Sequence, residues 1–131
     1  MSQENVDAVI ENTEAVNRRD IPGILRIADP EIRYEPRAAE LEGGYVGPEG
    51  VREFFEGIWE NFEVFQAELQ DVRDLGDRVL AAGTLTMRGK GSGIHTEEPI
   101  ALVLEFRDGL VIHSKDYGEK ELALKAVGLK E

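Results

Sequence analysis

The chain of 131 residues has no cysteine, two histidines and one tryptophan. Without cysteine, disulfides and thiolate zinc sites are excluded, and a reducing cytoplasm suits the chain. The two histidines, His95 and His113, have no convergent third ligand in the sequence, so no metal site is expected. Cations are scarce as well: 15 Lys and Arg stand against 27 Asp and Glu, a net charge of −12. A surface this acidic repels phosphate backbones and anionic headgroups, which argues against nucleic acid and membrane surfaces as partners. Long apolar runs are missing too, so no segment is expected to cross a bilayer. The first five residues, Met1 to Asn5, lack the basic and apolar stretches of a secretion signal, and a cytoplasmic protein is expected. The length suits one domain over residues 1–131, which can bury roughly two thirds of its unfolded surface.

What is present is helical periodicity first and strand alternation after it. Val6, Val9, Ile10, Thr13 and Val16 recur at three- and four-residue steps, one face of an amphipathic helix. Asp20 caps a second, short helix carrying Ile21, Ile24, Leu25 and Ile27, with Pro22 in its first turn and Asp29-Pro30 ending it. Ile32 and Tyr34 alternate with Arg33 and Glu35, the mark of a short strand. A loop through Gly43, Gly44 and Gly47 leads to a third helix opened by Pro48, whose apolar stripe is Val51, Phe54, Phe55, Ile58, Trp59 and Phe62.

Beyond Val64 the chain reads as sheet, with strands over 65–75, 79–87, 100–106 and 110–117. Gly76-Asp77 and Asp108-Gly109 supply the turns between consecutive pairs. Gly89-Lys90-Gly91-Ser92-Gly93 has the composition of a phosphate loop, but a strand rather than a helix follows it, so it is a loose hairpin. A last helix carries Leu122, Ala123, Ala126 and Val127 and stops at Gly128. Helices followed by a sheet of long antiparallel strands predict an α+β fold with a concavity for a small ligand.

Several runs resemble the nuclear transport factor 2-like superfamily, and within it the SnoaL-like proteins. They are Asn17-Arg18-Arg19-Asp20-Ile21, Ala28-Asp29-Pro30-Glu31-Ile32, Tyr34-Glu35-Pro36, Gly47 to Phe55, Phe106 to Val111, and Asp116-Tyr117-Gly118-Glu119. The resemblance implies a cone. A strongly bent antiparallel or mixed sheet carries three helices from the N-terminal half on its concave face, a short C-terminal helix follows, and a pocket opens at one end. Ketosteroid isomerases, polyketide cyclases, epoxide hydrolases, dehydratases and plain binding modules share that fold, so function rests on individual side chains.

Carried over residue by residue, the resemblance puts Glu35 at the isomerases' base position, before Pro36. It puts Asn12 and Leu102 where those enzymes hold their oxyanion donors. Ala82 and Thr84 take the place of the arginine and aspartate of the epoxide hydrolases. Asp116 matches the acid of the last strand, also used by the cyclases, and is with Glu35 the candidate catalytic residue. Asn12, Phe55, Trp59, Thr84, Leu102, Leu104 and Ser114 are expected to line the pocket. Trp59 is expected close to the cavity, where its indole N–H would find a partner. On the last strand, alternation puts Ile112, Ser114 and Asp116 on one face and His113, Lys115 and Tyr117 on the other.

Glu35 is ambiguous. If Ile32 and Tyr34 face the core, its side chain points to water beside Arg33, unless Pro36 bends the strand. Two functional readings therefore stand. One is a pocket protein doing proton-transfer chemistry (isomerisation, cyclisation or dehydration) on a small hydrophobic organic molecule, without a cofactor. The other is a non-catalytic ligand-binding or dimerisation module, pairing as a homodimer through the outer sheet face where Val103 and Glu105 point.

Overall fold

A computed structural model describes residues 2–37 and 44–129; Gly43 of the expected loop lies outside them. The first helix, α1 (Ser2–Asn17), buries Val9, Ala15 and Val16, while Ile10 turns outward at 39 % exposure. Its end is set by Arg19, whose φ of 58° is left-handed. That conformation is unfavourable for a residue with a side chain. The Arg19 guanidinium reaches the junction of the third helix and the strand after it, donating to the carbonyls of Trp59 at 3.5 Å, Phe62 at 2.9 Å and Glu63 at 3.1 Å; a cation at the end of a helix also suits its dipole.

Asp20 caps α2 (Ile21–Leu25), its carboxylate accepting from the Gly23 N–H at 3.0 Å, with Pro22 in the first turn. The strand β1 (Ala28–Glu35) begins earlier than the sequence suggests. Asp29-Pro30, read above as the end of a helix, lies inside β1 where its pairing slips between Ala28 and Arg33. A proline that owes no ladder hydrogen bond is tolerated at such an irregularity.

The elements β2 (Tyr45–Val46) and α3 (Gly47–Asn61) follow, with Pro48 in the first turn of the helix. Four long strands complete the sheet: β3 (Phe62–Asp74), β4 (Arg78–Gly89), β5 (His95–Arg107) and β6 (Leu110–Asp116). The Asp108-Gly109 turn has φ of 54° and 81°, the two positive values a tight hairpin requires. Strand order is β2-β1-β6-β5-β4-β3, with β1 and β6 parallel and every other pair antiparallel. The fold is α+β: an open, curved, six-stranded mixed sheet with α1, α2 and α3 against its concave face.

Close approach bends the sheet. Gly83 on β4 faces Leu69 on β3, beside a register slip between Leu69 and Asp71. A Cβ at Gly83 would run into the carbonyl of Glu68, so the two strands meet there only because the side chain is missing. A bulge opposite a glycine curls a sheet, and this curl lifts the far ends of β3 and β4 around α1 and α3.

Two apolar clusters result. The larger joins Val9, Val16, Ile24, Val51, Phe54 and Phe55 of the helices to Ile32, Phe65, Val79, Ala81, Leu104, Phe106 and Val111 of the concave face. The smaller lies on the convex face, where α4 (Lys120–Ala126) sets Ala123 and Leu124 against Leu80, Ala82, Ala101 and Val103. Lys120 ties the start of this helix to Asp71 at 2.9 Å.

One expectation needs revising here. Ala82 belongs to the convex cluster and Thr84 shares its face, its hydroxyl 3.4 Å from Gln70 Nε2, so Thr84 does not line the concave side. The concave positions of β4 are Val79, Ala81, Gly83, Leu85 and Met87. On the outer face, where a homodimer was expected to pair, α4 packs over Val103.

Candidate functional site

Between the helices and the concave sheet lies a cavity of about 380 Å³, large enough for a small organic molecule. Phe54, Phe55 and Ile58 of α3, Val16 of α1 and Phe65, Leu85 and Met87 of β3 and β4 make most of its wall apolar. The aromatic side is one packed stack: Tyr34 meets Phe54 edge-on with centroids 5.5 Å apart, and Phe54 meets Phe55 at 5.1 Å. Asn12, Phe55, Leu102, Leu104 and Ser114 line the cavity, as do Asp116 and Glu35.

Trp59 does not line it. The indole packs between Phe55, at 5.6 Å, and the Arg19 guanidinium, at 5.7 Å, and its buried N–H has no partner among the described residues. One turn of helix separates it from the cavity-facing Phe55, so the stripe on α3 is divided between cavity wall and packing against Arg19.

The polar atoms cluster at the β1–β6 seam. Asp116 ends β6, and the chain turns at once through Gly118, with φ of 82°. Its Oδ1 caps that turn, accepting from the Gly118 N–H at 2.8 Å and from the Ala101 N–H at 3.2 Å. Aspartate two residues before a glycine is the local sequence that builds such a turn. With Oδ1 held by two backbone donors, Oδ2 is oriented and has no hydrogen-bond partner among the described residues.

Burial raises the Asp116 carboxyl above its ordinary value; the two backbone donors and the Arg37 guanidinium oppose that rise, and the Glu98 carboxylate reinforces it. Arg37 and Glu98 close the cavity rim with an ion pair of 2.7 Å.

Glu35 behaves differently. It touches the cavity rim, but its carboxylate is 2.6 Å from His113 Nε2 and 3.6 Å from Arg33, on the outer face of the sheet. The parallel register explains this: Tyr34 pairs with Ser114 inside, so Arg33 with His113 and Glu35 with Lys115 fall outside. Hydrogen bonding to His113 holds the Glu35 carboxyl below its usual range, with the charges of His113, Lys115 and Arg33 adding to the effect. The candidate base is thus neutralised on the wrong side of the strand, and Pro36 does not bend it back.

The same geometry corrects the alternation on β6. A bulge there sets Val111 against Phe106 and His113 against Glu105, so Val111, not Ile112, shares the cavity face with Ser114 and Asp116.

Tyr34 was not singled out from the sequence as a site residue. Its ring lines the cavity beside Phe54 and Phe55, and its hydroxyl bonds to nothing among the described residues. Burial, with the nearby Asp116 carboxylate, pushes its pKa well above the ordinary phenol value, so it stays protonated. The signal was the alternation of Ile32 and Tyr34, which marked both as inward-facing. Asn12 and Thr13 also reach the cavity, but the Asn12 amide donates to the Ile24 carbonyl at 2.9 Å and the Thr13 hydroxyl to the Val9 carbonyl at 3.0 Å.

Among the described residues no helix is long and apolar enough to cross a membrane. No curated protein matches the sequence. Solved structures with the same fold are numerous. A nuclear transport factor 2-like protein of unknown function from Burkholderia pseudomallei superposes with a TM-score of 0.77 at 20% identity, over 95% of this chain and 98% of that one. TerC, co-crystallised with polyporic acid, gives 0.76 at 22% identity over 88% and 92%. A protein of ketosteroid isomerase-like fold from Catenulispora acidiphila, in complex with trimethylamine, gives 0.76 at 18% identity over 93% and 92%. The family model for the SnoaL-like domain matches residues 9–114, from the first helix to the cavity wall of the last strand, and the chain belongs to that family.

Proposed function

We propose that the chain binds a small hydrophobic organic molecule in its cavity and that Asp116 moves a proton on it. The observation carrying this reading is the division of labour within one carboxyl group: Oδ1 is fixed by the Gly118 and Ala101 N–H groups while Oδ2 is left unpartnered. A general base must be held by something other than its substrate and still offer a free lone pair. Burial tunes the same carboxyl upward, toward the range in which it can both take and return a proton near neutrality.

Binding to TerC of polyporic acid and to the Catenulispora protein of trimethylamine supports ligand capture by this fold. The chemistry at Asp116 suits isomerisation, cyclisation or dehydration at an acidic C–H.

A direct test uses 2-tetralone, a bicyclic ketone with acidic C–H bonds, in deuterated buffer with exchange followed by NMR. The protein should accelerate exchange, and Asp116→Asn should lower the accelerated rate by about 10²–10⁴-fold without changing the fold. An unchanged rate in Asp116→Asn removes this residue from any catalytic role. A second reading, a binding module without turnover, is favoured by the position of Glu35, whose engagement with His113 and Arg33 on the outer face removes the second candidate base. Its signature is thermal stabilisation by 2-tetralone with no exchange above buffer.

A further inference from the structure

Charge in the cavity does not balance. Four charged residues line it: Glu35, Arg37, Glu98 and Asp116. Glu35 is engaged by His113 and Arg33 on the outer face, and Arg37 and Glu98 meet at 2.7 Å on the rim and cancel as charges. Asp116 is left over. It forms no ion pair among the described residues, and only the Gly118 and Ala101 N–H groups donate to it, both at Oδ1. A carboxylate held in an apolar wall is costly unless an opposite charge joins it, and the complementary charge here is one that a ligand would bring.

The rest of the wall suits a cation with an apolar body. The rings of Tyr34, Phe54, Phe55 and Phe65 line the same cavity, and aromatic faces attract an ammonium most where water is excluded. An entering ammonium gives up its hydration, which a bond to the Asp116 carboxylate and contact with these rings offset. An anion would meet Asp116 with no free cation to answer it, since Glu98 holds Arg37. A neutral molecule would leave the carboxylate desolvated and uncompensated.

We infer that the cavity takes a hydrophobic amine, bound as its ammonium, with an N–H donating to Asp116 Oδ2 and the apolar body against the aromatic wall. This goes beyond the proton-transfer reading: it uses the same cavity and carboxylate but holds whether or not the bound molecule reacts.

The chain's net charge of −12 draws organic cations to its surface as well, so the test must separate the cavity from the surface. Calorimetry in slightly alkaline buffer compares 2-naphthylmethylamine, protonated there, with 2-naphthylmethanol, its uncharged counterpart of the same shape. Wild-type protein should bind the amine about tenfold more tightly, the low end of the coupling between close opposite charges at an interface. Asp116→Asn should erase that margin. The amide keeps an oxygen for the Gly118 and Ala101 N–H groups, so the turn persists. 2-Naphthol, a neutral probe whose hydroxyl finds a partner on either side chain, should bind both proteins within about threefold and so report an intact cavity. Glu60→Gln removes the same charge from the exposed face of α3, outside the cavity, and should keep the margin.

Equal affinity of the wild type for amine and alcohol, or failure of both to bind, overturns the inference. So does a margin that survives in Asp116→Asn, or one that Glu60→Gln erases equally, since either marks general attraction to an acidic surface. The two readings of Asp116 fail separately. If the margin behaves as expected but Asp116→Asn exchanges 2-tetralone normally, the amine site stands and the proton-transfer reading falls. Exchange that is lost in Asp116→Asn with no amine margin in the wild type sinks only the amine site.

Discussion

Adding one methyl group at either of two glycines should have opposite effects, and the difference measures what shapes the cavity. A Cβ at Gly83 would meet the Glu68 carbonyl and come within 2.8 Å of Leu69 Cα. Both obstacles are backbone, so neither yields by a side-chain rotation, and β3 must move away from β4. Overpacking that shifts backbone costs about 1–3 kcal/mol, and the upper end applies because the displaced strands also close the larger core. With about 4 °C of melting temperature per kcal/mol in a domain of this size, Gly83→Ala should melt roughly 10 °C lower.

Gly57, in the middle of α3, has nothing within 4 Å of its would-be Cβ. Helix propensity alone then decides, and Gly57→Ala should gain about 0.5–1 kcal/mol. Urea unfolding followed by far-ultraviolet dichroism gives both values on the same m-value scale. 2-Naphthol affinity should fall in Gly83→Ala, since a flatter sheet opens the cavity, and hold in Gly57→Ala. A Gly83→Ala protein as stable as wild type and binding naphthol equally well would refute the claim that the glycine sets the bend.

Further consequences follow from which face each residue occupies. Leu124→Ala, at a position 1 % exposed under the convex face, should cost about 2–4 kcal/mol in urea unfolding and leave naphthol binding unchanged, because α4 lies across the sheet from the cavity. Glu35→Gln should leave 2-tetralone exchange within about twofold and cost at most about 1 kcal/mol at neutral pH, the range of exposed pairs. The sign with pH is fixed: a carboxyl held below its ordinary value in the fold stabilises above that value and loses this contribution as pH falls through the folded one. Acid titration of stability should therefore be shallower in Glu35→Gln. Asp116, shifted upward, works in the opposite sense: its protonated form favours the fold at low pH and that contribution is lost as pH rises through its folded value, while the exchange rate rises over the same interval.

The order of elements was legible because each is marked locally: a three-four repeat in α1 and α3, the Asp20 cap, and Asp-Gly in the last hairpin. Asp116 was legible only through the resemblance, although the Asp-Tyr-Gly run also carries the turn that holds one of its carboxylate oxygens. Face assignment was not legible wherever both sides of a strand are covered. Val79 to Ala82 on β4 are buried without interruption, inward under the helices and outward under α4. Alternation then carries no phase, and Thr84 was placed on the wrong side. On β6 a single bulge shifted the phase between Val111 and His113, which no residue type announces.

Strand ends hid behind prolines. Pro99 lies within β5, and β6 stops opposite Leu102, so among the described residues no strand pairs with Pro99 on that edge. A missing N–H costs nothing at a free edge.

The β1–β6 seam links fold to chemistry. Paired in register from Arg33–His113 to Glu35–Lys115, the alternate residues of these two strands sort into two sets. Outside stand Arg33, Glu35, His113 and Lys115, which neutralise one another; inside stand Tyr34, Ser114 and Asp116, whose free atoms have only a ligand to bind. A slip of one residue would exchange the sets, turning Arg33, Glu35, His113 and Lys115 toward the cavity and Asp116 toward water. The Arg37 guanidinium at the rim is already engaged by Glu98. Among the described residues the cavity wall is apolar apart from Asp116, the Tyr34 and Ser114 hydroxyls, the Asn12 and Thr13 groups and the paired rim, so it offers no unpaired cation to a ligand phosphate. Under the proposed reading, that wall suits a hydrophobic ligand on which Asp116 moves a proton.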